Sequence, residues 1–212
     1  MKKRLHTILL AFAAVTMAGG TGHAQSAPSQ AEARARMRDI LQNDPALPAV
    51  APAGHDVTIV VFSDYQCPYC RKLHPALEGL LREDGKVRIV YRDWPIFGGP
   101  SMEAARAAIA SRYQGKHAAF NDALMATKGK LASDGIRAAA DSAGVDWKRL
   151  QADLVKHKAE IDGALARTDR IARAMGLSGT PVLVIGPYLV PGALSPENLK
   201  LAVEAARQPP AS

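Results

Sequence analysis

The chain has 212 residues, 48% of them hydrophobic and 22% charged, with a formal charge of +7. Acidic and basic residues are interspersed and aromatics are few, so the basic stripe of a nucleic-acid-binding protein is missing. Only two cysteines occur, which excludes a many-bridged disulfide scaffold in a chain long enough to bury a full core without staples.

Lys2, Lys3 and Arg4 are followed by an apolar stretch, Ile8 to Ala18, too short to span a bilayer, and then by Gly22-His23-Ala24. This order predicts an export signal over 1–24, cleaved after Ala24. Its loss removes the three basic residues and takes the formal charge from +7 to +4. No cysteine lies near the cleavage point, so a lipid-modified amino terminus is not expected. The mature protein is expected to be periplasmic or otherwise exported, and soluble.

Residues 25–54 read as an N-terminal helix and a linker. The spacing of Ala33, Met37, Ile40 and Leu41 predicts a short helix over 30–42 with a narrow apolar stripe, ending before Asn43-Asp44-Pro45. Two readings stay open for that stripe: docking on its own domain, or homo-oligomerisation through residues 30–42. Pro45, Pro48, Pro52 and Gly54 make the linker.

The β-branched run Val57-Thr58-Ile59-Val60-Val61-Phe62 predicts a buried strand. A helix from Pro68 to about Arg82 follows, with Leu73, Leu77, Leu80 and Leu81 on its inner face. After a turn at Asp84-Gly85 comes a second strand, Val87 to Tyr91. A strand, a helix and a strand this close together form a parallel βαβ unit. Helical patterns then fill 101–113, 116–127, 134–143, 147–157 and 159–175, with Ser101, Ser133 and Asp146 as candidate caps and Gly129 and Gly144 at helix ends. Strand character returns at Pro181 to Ile185, Gly186-Pro187 turns the chain, and Tyr188 to Val190 pairs back. Ser195-Pro196-Glu197 opens a last helix. The architecture predicted is one small sheet with a helical subdomain inserted at about 100–175, the whole domain covering 55–207.

The chemistry concentrates in Cys67-Pro68-Tyr69-Cys70, directly after the first strand. Pro68 stands where proline best opens a helix, which puts Cys67 at the exposed amino end. The positive end of the helix dipole favours a thiolate there, and the thiolate is the nucleophile. Cys70 lies one turn in, close enough to close a disulfide. As a structural staple so short a loop contributes only about 2 kcal/mol. A metal clip using Cys67, Cys70 and His74 is the other reading, but no second Cys-x-x-Cys and no His-x₃-His completes a closed set. Thiol–disulfide exchange is the expected chemistry, with no cofactor and no metal ligands assigned.

Three stretches carry a family resemblance. Phe62-Ser63-Asp64-Tyr65-Gln66-Cys67-Pro68-Tyr69-Cys70 resembles the active-site segment of the DsbA-like thiol–disulfide oxidoreductases, an exported branch of the thioredoxin superfamily. Val90-Tyr91-Arg92-Asp93-Trp94-Pro95, with Gly98 and Ser101, is similar to that family's second strand and its entry into the helical insertion. Gly179-Thr180-Pro181 before an apolar strand is similar to its cis-proline loop. The resemblance implies an α/β, thioredoxin-like fold with an inserted helical subdomain. It also implies that Cys67 attacks and forms mixed disulfides, that Cys70 resolves them, and that Thr180 and Pro181 bind substrate. An ordinary strand-start proline is the other reading of Pro181. The implied partners are exported proteins carrying thiols or disulfides, and a membrane redox partner.

Two departures bear on direction. Many relatives carry a buried acid six positions before the first cysteine; here it is Val61, so proton transfer needs water or another group. Asp64 is nearer, but reads as a turn residue. Tyr69 stands where the strongest oxidants have histidine, so one thiolate-stabilising charge is missing. Oxidase is the expected direction, with an oligomeric isomerase or reductase as the alternative. His74 is expected at a helix surface or core edge, Trp94 and Trp147 as packing anchors, and His117 and His157 at the surface.

Overall fold

The computed structural model describes residues 29–208. The export signal expected over 1–24 lies outside the described residues. The elements run α1 (Gln30–Gln42), β1 (Ala49–Val50), β2 (Val57–Ser63), α2 (Pro68–Glu83), β3 (Val87–Asp93), α3 (Gly99–Ser111), α4 (His117–Met125), α5 (Ser133–Ser142), α6 (Trp147–Lys156), α7 (Lys158–Ala174), β4 (Val182–Ile185), β5 (Tyr188–Pro191) and α8 (Pro196–Arg207).

The five strands form one sheet in the order β1-β3-β2-β4-β5. β2 and β3 are parallel, in register from Val57 opposite Val87 to Ser63 opposite Asp93, while β4 runs antiparallel to β2. A parallel pair needs cover on both faces, which is why β2 reads as an unbroken apolar run. Ile59 and Val61 pack with Leu73, Leu77 and Leu199 of α2 and α8. Val60 and Phe62 face the other way, into a core shared with α3, α4 and the rest of the inserted helices. The hairpin turn between β4 and β5 needs Gly186: its φ is +55°, and a Cβ there would lie 3.0 Å from the Ala206 Cβ.

Asp146 and Ser195 cap α6 and α8 as expected, each side chain accepting from the amide three residues on. Ser101 and Ser133 do not cap. α3 starts earlier, with Gly98 at its cap, and Ser101 lies inside that helix; Ser133 is already helical and donates to Glu103 at 2.7 Å. The linker also differs from expectation, because Ala49–Val50 pairs antiparallel with Ile89 and Val90 as an edge strand. Two residues between prolines carry no local strand signal; the free edge of β3 provides the pairing.

α1 docks by its carboxyl end alone. Leu41 is its buried residue, whereas Met37 is 43% and Ile40 50% exposed. The orphan carbonyls of its last turn are satisfied by β3. Arg92 Nε donates to Leu41 O at 3.0 Å, Arg92 also donates to Ile40 O, and Arg88 donates to Gln42 O at 2.7 Å. Arg92 is fully buried, and burial lowers its guanidinium to about 10, leaving it charged at neutral pH. Arg92→Leu is therefore expected to cost about 3 kcal/mol through the lost charged hydrogen bonds. It should also release α1, read as faster amide hydrogen exchange across 30–42. Unchanged exchange there would mean that Leu41 packing, not Arg92, anchors the helix.

Candidate thiol–disulfide site

β2 ends at Ser63 and the chain turns through Asp64, Tyr65 and Gln66 before α2 begins at Pro68. Asp64, buried, holds this turn. Its Oδ1 accepts from Gln66 N at 2.8 Å and from Ser101 Oγ at 2.6 Å, and its Oδ2 accepts from Phe97 N at 3.0 Å. The carboxylate thus ties the loop before the cysteines to the start of the helical insertion, a larger role than a turn residue. Gln66 strengthens the tie by donating through Nε2 to Phe97 O, at 3.0 Å. Arg71 adds a third link, donating to Tyr65 O at 2.7 Å and Gly129 O at 2.8 Å.

Cys67 is the N-cap residue of α2 and Cys70 lies in its first turn, both as free thiols. Cys67 is at the amino end as expected, but it is not exposed: only 2% of its surface is open. The cover comes from the loop before β4. The Thr180-Pro181 peptide is cis, and Cys67 Sγ donates to Thr180 O at 3.1 Å. So Cys67, Cys70, Thr180 and Pro181, distant in sequence, are brought together. Burial pushes the Cys70 thiol well above its ordinary range. Beside the pair, Tyr69, Lys72, Pro75, Pro181 and Leu194 line an open groove of about 600 Å³ between α2 and the loop into α8. Tyr69 is 63% exposed at its edge.

Around Tyr65, in the turn before Cys67, lie polar groups that the sequence reading did not single out. Asp93, at the end of β3, is buried with both carboxylate oxygens unpartnered. The nearby Tyr65 hydroxyl has one proton and donates it to Asn121 Oδ1 at 3.1 Å. Burial pushes the Asp93 carboxyl up to about 8, the Asp64 charge adding to this and Tyr65 opposing it. At the position where relatives have their buried acid, Val61 pairs with Tyr91, so Asp93 lies two residues along the neighbouring strand. A polar residue at the last position of a strand is a weak signal, because strand ends are normally solvated.

His74 is buried, and its Nε2 lies 2.9 Å from Asp122 Oδ1. Among the described residues, the group able to hold a metal joins His74 to Glu78 and Asp122 and includes neither cysteine. His117, expected at the surface, is buried against Tyr91 with ring centroids 5.0 Å apart, and burial lowers it to about 3, so it is neutral. His157 stacks on Tyr113 at 3.8 Å, half-shielded. Trp94 is a packing anchor whose Nε1 donates to Asp169 at 3.0 Å.

Residues 53–205 match the profile of a thioredoxin family. The chain belongs to the thioredoxin family. Among solved structures, a thioredoxin-like oxidoreductase from Silicibacter pomeroyi is 43% identical with a TM-score of 0.75, over 80% of this chain and 97% of that one. The thiol-disulfide exchange protein alpha-DsbA2 from Wolbachia pipientis is 26% identical with a TM-score of 0.76, over 81% of this chain and 92% of that one. The catalytic domain of Proteus mirabilis ScsC is 28% identical with a TM-score of 0.74, over 83% and 97%. This is a DsbA-like thioredoxin fold, and the domain is that of a thiol–disulfide oxidoreductase. A stretch of the Na(+)/H(+) antiporter NhaA 1 of Salinispora arenicola is 30% identical over 159 residues, 73% of this chain and 24% of the antiporter. The chain thus spans about a quarter of the length of the curated relatives it matches.

Proposed function

We propose that the protein is an exported oxidase that passes the Cys67–Cys70 disulfide to exported proteins. A substrate thiolate attacks Cys67 Sγ; the Cys67–Cys70 bond breaks and Cys70 leaves as a thiolate. A second substrate thiolate then attacks the substrate sulfur of the mixed disulfide. Cys67 is released, the substrate gains a disulfide, and two electrons pass to the cysteine pair. A membrane redox partner accepts those electrons and restores the disulfide. The observation carrying this reading is the approach of Cys67 Sγ to Thr180 O at 3.1 Å, with Pro181 beside the groove. An extended substrate segment in that groove can pair strand-fashion with the Thr180 backbone while its sulfur meets Cys67. Export is supported by the basic-then-apolar opening of the sequence and by a periplasmic thioredoxin-like protein from Salmonella enterica, 28% identical with a TM-score of 0.70. Among the described residues no helix is long and apolar enough to cross a membrane.

The exposed Met37 and Ile40 on α1 favour a second reading, isomerase or reductase action by a homo-oligomer joined through residues 30–42. Light scattering with and without residues 25–50, beside assays on reduced and on scrambled substrates, separates the two. A monomer that oxidises reduced substrate and fails to rescue scrambled substrate supports the oxidase. An oligomer that loses rescue activity on truncation overturns it. Because Tyr69 supplies no cationic charge at the thiolate, the expected potential falls between about −200 and −120 mV. A value below that span would argue for a reductase.

A further inference from the structure

On the flank of α2 away from the groove, His74 and Glu78 stand one turn apart on the same face, and Asp122 reaches them from α4. One donor atom from each residue lies within 4.8 Å of the other two, and His74 Nε2 is already 2.9 Å from Asp122 Oδ1. The set contains one imidazole and two carboxylates. His74 is buried and Glu78 half-buried, while the Asp122 side chain is 47% exposed. Among the described residues Glu78 forms no salt bridge, although it faces a second carboxylate across the imidazole. Arg82, one turn further along α2, is the arginine whose charge reaches Glu78.

We infer that His74, Glu78 and Asp122 form a binding site for a divalent cation of the zinc class, joining the active-site helix to the helical insertion. Imidazole nitrogen with carboxylate oxygen suits zinc, and two carboxylates balance its charge. Three protein ligands leave at least one position for water, the pattern of an open rather than a closed site. Bonds of about 2.0–2.2 Å place tetrahedral ligand atoms roughly 3.3 Å apart, so the set must contract somewhat. The flexible Glu78 side chain can supply that movement, since His74 and Asp122 are already closer than this. His74 also lines, with Leu73 and Asn121, a small void beside Cys70. A cation here would therefore fix α2 just behind its reactive end without using either thiol.

The test uses the Cys67→Ser/Cys70→Ser protein, which removes the soft thiol ligands and makes the outcome independent of the redox reading. Zinc chloride titrated by calorimetry near pH 7.5 should show one ion bound per chain, with an affinity in the micromolar range. Saturating zinc should raise the melting temperature by several degrees, because an ion that binds only the folded state stabilises it. Glu78→Gln and His74→Ala should each weaken binding at least tenfold. Glu78→Gln, at a half-buried position, keeps the test valid if His74→Ala fails to fold. Absence of saturable binding below about 1 mM would overturn the site and leave His74–Asp122 as a simple ion pair. Binding that survives Glu78→Gln unchanged would also overturn it, assigning the ion to other surface groups.

Discussion

Replacing Cys67 with serine is expected to slow thiol–disulfide exchange by about a thousandfold or more, the scale seen when a nucleophile is removed. Cys70→Ser should give a different failure: substrate is still captured, but the mixed disulfide through Cys67 accumulates. The asymmetry follows from position. Cys67 caps α2, where unpaired amides and the helix dipole favour an anion. Both thiols are buried, but Cys70 lies inside the first turn and desolvation pushes its thiol well up, so it is a poor nucleophile toward an outside disulfide. It acts once the mixed disulfide is formed beside it. Non-reducing gels and intact mass after mixing each variant with a disulfide-bonded peptide read the outcome. If Cys67→Ser captures the peptide and Cys70→Ser does not, the assigned roles are reversed.

The parts of this site that could be read in the sequence are those whose signals are local. The β-branched run of β2 and Pro68 after Cys67 place the reactive pair at a strand-to-helix junction. Motif resemblance then placed Thr180 and Pro181 in the same region, and the Cys67–Thr180 distance of 3.1 Å agrees with that. What escaped depends on long-range partners. In β3, Val87-Arg88-Ile89-Val90-Tyr91-Arg92-Asp93 gives Arg92 and Asp93 the look of a solvated strand end, yet both are buried. Arg92 is enclosed because α1 delivers its last carbonyls to it, and those come from residues about fifty positions earlier in the chain. Ser101 has the residue type and place of a helix cap, but Asp64 offers its hydroxyl a charged acceptor at 2.6 Å, and the helix starts earlier. His117 carries no sequence sign of burial; it is enclosed through its packing on Tyr91. In each case the deciding neighbour is remote, and periodicity carries no record of it.

Asp93 gives the second large effect, on stability. Unfolded, its carboxyl titrates near 3.8; folded, burial pushes it up to about 8. Between those values the native protein holds a proton that the unfolded chain has released, so the proton favours the folded state at low pH. Stability from this group is fully present below pH 4 and falls as pH rises, until the proton is lost near 8. A shift of this size corresponds to roughly 6 kcal/mol at the upper limit, at about 1.4 kcal/mol per pH unit. Asp93→Asn has no charge to bury and should lose this slope. At pH 4 and below the variant and the parent should melt close together, because the side chain is then largely neutral in both the folded and the unfolded chain. At pH 9 the variant should melt higher by about 6–12 °C, given 2–4 °C per kcal/mol for a domain of this size and half the upper-limit effect. Thermal melts from pH 4 to 9, with the cysteines kept reduced, provide the measurement. Parallel melting curves for the two proteins across that range would show that the Asp93 carboxylate is stabilised when ionised. The Tyr65 hydroxyl would then have turned from Asn121 to donate to it, and the uncompensated burial argued from the two unpartnered oxygens would be wrong.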